Sequence, residues 1–211
     1  NITPRLGEGA DIHEALDALV QHVRKASNAE VVSCFLWNES LQRHVLRAQS
    51  GWVDPSWVDA AWYGIGEGMT GKLAHAVEPR HIPDLKDFKK GTHEEEGKYL
   101  DAMFGASRSD SQTHEVIALP LAFGKPSLGI ITMHRPRLRP ITSHPTGFTT
   151  VDDEMLHETC ERLSAFVFSI LENDLAQWRQ REAERLAHVQ AVLLADKQVE
   201  LLLSDAARRI V

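Results

Sequence analysis

Between Asp152 and the last residue, Val211, the chain has no glycine and no proline. These are the residues that interrupt helices, so nothing in the backbone stops a single helix from running the whole way. At 1.5 Å per residue such a helix would reach about 90 Å. Globular helices usually run three or four turns, so a rod this long is expected to meet something outside its own domain. Cysteine is scarce as well. Cys34 and Cys160 stand far apart in apolar surroundings, which excludes a disulfide framework or a CxxC pair and fits a reducing cytoplasm. No run approaches the ~20 apolar residues of a membrane span and no signal peptide opens the chain, so membrane insertion is not expected. Positive charge is in deficit. A net charge of -7 leaves no electrostatic case for nucleic acid or anionic lipid as a partner. Internal repeats and low-complexity tracts are absent too.

What is present is one domain's worth of core. In 211 residues, 43% are hydrophobic, enough for a packed globule with an extension. Asp11–Ala26 spaces Ile12, Leu16, Leu19, Val20 and Val23 as one face of a helix, with Asp11 as its expected N-cap. The β-branched and aromatic run 29–37, a turn at Asn38-Glu39-Ser40 and the alternating run 41–50 read as an antiparallel hairpin. Trp52, Trp57 and Trp62 follow, then glycines 64, 66 and 68 and a short helix over 69–77. Residues 78–85 read as a short strand closed by Pro83, which Pro79 and Pro83 limit to an edge or a short piece. The polar stretch 86–113 carries one apolar stripe, Tyr99, Leu100, Met103 and Phe104. It is expected to be a mobile loop around a short helix. Residues 114–123 and 128–135 form the clearest hairpin pattern, and Thr149 or Thr150 is the expected N-cap of the final helix. Helix, hairpin, loop-helix, hairpin, long helix is an α+β order around one antiparallel sheet. The expected division is a globular domain over 1–172 and a helical linker over 173–211. Because the chain opens on Asn1 and ends in helical pattern, it reads as a piece of a longer protein.

Three stretches in this order resemble the GAF family of small sensory domains. Gly66-Glu67-Gly68-Met69-Thr70-Gly71-Lys72-Leu73-Ala74 is similar to the family's glycine turn and helix. Glu78-Pro79-Arg80-His81-Ile82-Pro83-Asp84 resembles its EP…IPD strand, and Val116–Leu121 with Leu128-Gly129-Ile130-Ile131 resembles its closing hairpin. The resemblance covers about residues 11–172. It implies a single central antiparallel sheet with helices, followed by a long signalling helix. Its implied role is a small-molecule-sensing or regulatory module, not itself an enzyme, in a multidomain signalling protein such as a histidine kinase. The glycines permit backbone angles and close approach that other residues resist, and tight packing explains them more readily than room for a ligand.

In GAF-like folds the tryptophan segment and the 86–113 loop border a cavity over the sheet. The residues expected to contact a small molecule there are Trp57, Trp62, Tyr63, Phe104, His114 and His134. Rings around a few convergent polar groups are the usual make-up of such sites, and Arg135 is a further polar candidate. The alternative is that these rings, Trp52 above all, simply fill the core. The residues leave the cofactor unknown, and haem on a lone histidine stays open as the rarer alternative to scattered surface histidines. Eleven histidines show no HxxxH, HxH or HExxH spacing. Neither cysteine is placed for a bilin, and the cyclic-nucleotide signature of the family is missing. A GAF-fold reductase of free methionine sulfoxide needs several cysteines held close together, whereas two stand here in distant elements. His157-Glu158 resembles the start of a kinase phosphoacceptor box only superficially.

Along the final helix Leu171, Leu175, Trp178, Leu186, Val189 and Leu193 recur at spacings near three and four, with charged residues between them. They are the expected interface of a homodimer. Glu182 interrupts the seam, so a strict coiled coil does not follow. The reading is a cytoplasmic GAF-like sensor, dimeric through this helix, acting on an output domain of the same chain. The competing readings are a stand-alone enzyme on this fold, of the free methionine sulfoxide reductase type, and then a ligand-free dimerisation scaffold.

Overall fold

The computed structural model describes residues 10–76, 78–85, 99–105, 113–123, 127–137 and 153–209. Helix α1 (Ala10–Ser27) lays Ile12, Leu16, Leu19 and Val20 against the sheet, as their spacing requires. It already includes Ala10, so Asp11 lies within its first turn rather than capping it. Strands β1 (Val31–Asn38) and β2 (Arg43–Ser50) form the first hairpin, where the Asn38 side chain accepts a hydrogen bond from Leu41 N. A bulge at Arg47 breaks the β1–β2 register between Cys34 and Phe35. The buried Arg47 guanidinium is bound to Asp59 at 2.6 Å. A 3₁₀ turn (Pro55–Trp57) leads to β3 (Trp62–Gly64), α2 (Gly68–Leu73) and β4 (Arg80–Ile82). After α3 (Leu100–Phe104) come β5 (Thr113–Leu121) and β6 (Gly129–Arg137), and last α4 (Asp153–Arg209), a helix of 57 residues. The expected Thr149/Thr150 cap, the mobility expected of 86–98 and 106–112, and most of the second hairpin's turn lie outside the described residues.

Among the described residues the strands form one antiparallel sheet in the order β3-β2-β1-β6-β5-β4. The first and last hairpins meet at its centre, where β1 pairs with β6. Three-residue β4 closes one edge, as the prolines beside it demand. Successive side chains of a strand point to opposite faces, and each face buries its own cluster. Val32, Cys34, Leu36, Ile117, Leu119, Ile131 and Met133 meet α1 and, from α4, Leu156, Cys160, Val167 and Leu171. Val31, Phe35, Leu46, Val116, Ala118 and Ile130 meet Trp52, Tyr63, Met69, Tyr99, Met103 and Phe104. Each such side chain, fully buried, contributes roughly 1.5–3 kcal/mol.

Gly71 and Gly129 are among the glycines required by contact with the main chain. A Cβ on Gly71 would lie 2.0 Å from the Gly64 carbonyl oxygen, because Gly71 O accepts from Gly66 N and draws the helix onto the turn. A Cβ on Gly129 would lie 2.1 Å from the Phe35 carbonyl oxygen, at a φ of +151°. Close packing of main chain on main chain accounts for both.

Candidate functional site

The face of the sheet turned away from α1 and α4 carries an unusual polar strip. Thr132 and His134 stand two residues apart on central strand β6, so both point to this face. Thr132 lies between Ser33 and Ala118, and His134 between Val31 and Val116. Their relative exposures are 1% and 2%. Neither the Thr132 hydroxyl nor either ring nitrogen of His134 has a hydrogen-bond partner among the described residues. A buried polar group left without a partner costs about 1–3 kcal/mol, so the strip asks for an explanation. Burial, with a smaller push from neighbouring His114, lowers the pKa of His134 to about 3. The ring is therefore neutral near pH 7, with one nitrogen a donor and the other an acceptor.

Aromatic side chains cover the strip. The Phe104 ring stacks on His114 at 4.0 Å between centroids and meets His134 edge-on at 5.9 Å. Helix α3 holds Phe104 in place, because Val53 N and Asp54 N donate to the carbonyls of Met103 and Ala102. Tyr99 is the hub of the remaining rings, 5.3 Å from both Tyr63 and Trp57 and 6.4 Å from Trp52. Its hydroxyl accepts from Trp62 N and donates to Trp62 O, each at 3.1 Å. Trp52 is buried and donates from Nε1 to Ser33 Oγ at 2.9 Å.

Of the six residues expected to contact a ligand, Phe104, His114 and His134 come together directly. Tyr63 and Trp57 pack on Tyr99 in the same buried cluster as Phe104, with Trp57 only half-buried. Trp62 does not belong with them. Strand alternation turns it to the opposite face from Tyr63, opposite Val45, where the Arg43 guanidinium lies 3.7 Å over its ring. Arg135 is likewise on the other face, in register with Glu115, whose carboxylate meets His81 Nε2 at 2.5 Å. Thr132 and Ser33 were not singled out from the sequence, and Tyr99 figures there only as part of an apolar stripe. For Thr132 the signal was available in its two-residue spacing from His134 on a strand.

The helix residues separate in the same way. Leu171 is not a surface residue awaiting a partner, since it is buried in the domain's own core beside Val167. Leu175 and Trp178 are half-buried, while Leu186 and Val189 are 55% and 48% exposed. The side chain of Leu193 lies outside the described residues. Both thiols are buried in the α1/α4 core. Burial raises Cys34 to about 12 and Cys160 to about 11, with hydrogen bonding from Ser164 opposing the rise at Cys160. Among the described residues no three histidine, cysteine or acidic side chains gather as metal ligands, and no helix is long and apolar enough to cross a membrane.

The sequence profile of the GAF domain matches residues 11–167. No curated protein matches the sequence. The fold is similar to the GAF domain of an Acinetobacter phosphoenolpyruvate-protein phosphotransferase, with a TM-score of 0.53 at 19% identity, covering 78% of this chain and 86% of that one. It is similar to the corresponding domain from Coxiella burnetii, with a TM-score of 0.52 at 19% identity over 87% and 89%. A type II free methionine-R-sulfoxide reductase from Thermoplasma acidophilum gives a TM-score of 0.50 at 14% identity over 75% and 93%. At these identities the likeness is one of fold.

Proposed function

This chain belongs to the GAF domain family, and from that premise we propose that it is a regulatory or sensing module. In this reading it binds a small molecule on the Thr132–His134 face and passes the signal along a dimeric α4 to an output domain on the same chain. One observation carries the reading: β5 serves both ends of that path. On one face it bears His114, under Phe104. On the other its end is hydrogen-bonded to α4, where Cys160 Sγ donates to Pro120 O at 2.8 Å and Ala122 N donates to Ser164 Oγ at 3.2 Å. A ligand that moves β5 changes the seat of the helix that leaves the domain. For this to be signalling, the ligand must bind the two arrangements of the helix pair with different affinity.

The dimer is tested by light scattering on the full chain and on the double variant Leu186→Glu/Val189→Glu. Both positions are exposed in the single chain, so the substitutions leave the domain intact. The expected result is a dimer for the parent chain and a monomer for the variant. A variant that remains a tight dimer would place the interface on α1 or the sheet.

The enzymatic reading on the same fold finds little in the thiols. Cys34 and Cys160 sit in the core with raised pKa values, the opposite of what a thiolate nucleophile requires.

A further inference from the structure

The chemistry of the buried strip restricts what it takes, granted the reading above that this face is the ligand site. Its polar groups are the hydroxyls of Ser33 and Thr132 and the imidazoles of His114 and His134. Ser33 already accepts from Trp52. Alternation sends Glu115 and Arg135 to the opposite face. Arg47, at the bulge, is tied to Asp59. The one charged side chain that strand register turns to this face is Arg80, opposite Ala118. It belongs to the edge strand, is 59% exposed, and lies 3.7 Å from Glu78. Among the described strand residues, register therefore sets no fixed charge beside Thr132 and His134 to balance an ion.

A neutral imidazole offers one donor and one acceptor, and a hydroxyl offers both. A partner that satisfies Thr132 and His134 must offer the complementary pair. Above the strip Phe104 lies against His114 with an interplanar angle of 20°, so a molecule that takes its place must be flat. We propose that the Thr132–His134 strip takes an uncharged planar molecule with a hydrogen-bond donor beside an acceptor, such as a primary carboxamide or a lactam edge. The ligand ring takes the place of Phe104 against the imidazoles. His134 and Thr132 satisfy its polar edge, and Trp52 and Tyr99 wall it in.

The test uses a pair of probes matched in shape and differing in charge, nicotinamide and nicotinate. The full chain is titrated with each while the imidazole ¹⁵N resonances of His134 are followed. Nicotinamide is expected to shift them and to bind at least about tenfold more tightly than nicotinate, since a site built on neutral hydrogen-bonding groups rejects a ligand that mismatches them. Thr132→Val keeps the shape and removes the hydroxyl, so it should weaken nicotinamide about tenfold. Phe104→Ala should strengthen it by removing the competing ring. Equal or tighter binding of nicotinate at His134 would overturn the uncharged class while leaving the site in place. If neither probe moves His134, or if nicotinamide binds Thr132→Val as tightly as the parent, the site itself is wrong. The shifts on the parent chain decide this even if a variant fails to fold.

Discussion

Single residues on the sheet carry the sharpest consequences. His134 is held neutral by burial, with a pKa of about 3, and His44 is lowered to about 4 by burial and by the nearby charge of His75, against a hydrogen bond with the Tyr63 main chain. In the unfolded chain both titrate near 6.5. Below pH 6.5 the unfolded state therefore binds protons that the folded state refuses, and stability falls as pH falls. The loss is complete near pH 3–4, and each imidazole contributes at most about 1.4 kcal/mol per pH unit in that window. Urea unfolding from pH 7 to pH 4 should show this slope, and His134→Phe should flatten it. An unchanged slope would mean that His134 is solvated. The glycine turn gives a second test. Gly71→Ala forces a methyl group into the Gly64 carbonyl and should cost about 1–3 kcal/mol in a urea titration. A smaller loss would mean that the turn yields.

At the scale of elements, α4 is two helices in one. Its first half is seated by Leu156, Cys160, Val167 and Leu171 in the core. Past Arg181 the described side chains are exposed except for a half-buried Glu182. A helix without tertiary contacts is marginal in water, so in the proposed dimer the outer half is stabilised by its partner. Hydrogen exchange should show strong protection from Leu156 to Leu171 at any concentration. Protection from Leu186 onward should rise with protein concentration and vanish in Leu186→Glu/Val189→Glu. Protection of the outer half that ignores concentration would count against the dimer. Strand β4 shows the opposite economy. It is an edge strand of three residues, linked to β5 by main-chain pairing and by the His81–Glu115 contact.

For the molecule as a whole, the two faces of the sheet divide the work. The α1/α4 face buries a mainly aliphatic cluster with both thiols, and Glu115 tied to His81 beside it, whereas the other face mixes rings with buried imidazoles and hydroxyls. Cys34 and Cys160 come from opposite ends of the chain and share one core. A thiol reagent should therefore label both at the same slow rate, set by global opening, and rapidly in urea. Fast labelling of Cys160 alone would show that α4 lifts from the sheet without unfolding.

Much of this architecture could be read from residue order. The hairpins, the edge position forced by Pro79 and Pro83, the spacing of Ile12, Leu16, Leu19 and Val20, and the unbroken final helix are consequences of local backbone chemistry. Local chemistry is present in any window of the chain, so periodicity and breakers suffice for it. The site was legible only in part. His114 and His134 could be named together from the two central strands, but not Thr132 as their companion, nor Trp62 and Arg135 as residues of the opposite face. That assignment depends on register, and a shift of one residue exchanges the two faces of a strand. Leu171 likewise looked like the rest of its helical stripe. Whether such a residue meets its own sheet or a second chain depends on where the domain ends, and the helix pattern continues across that point without a mark.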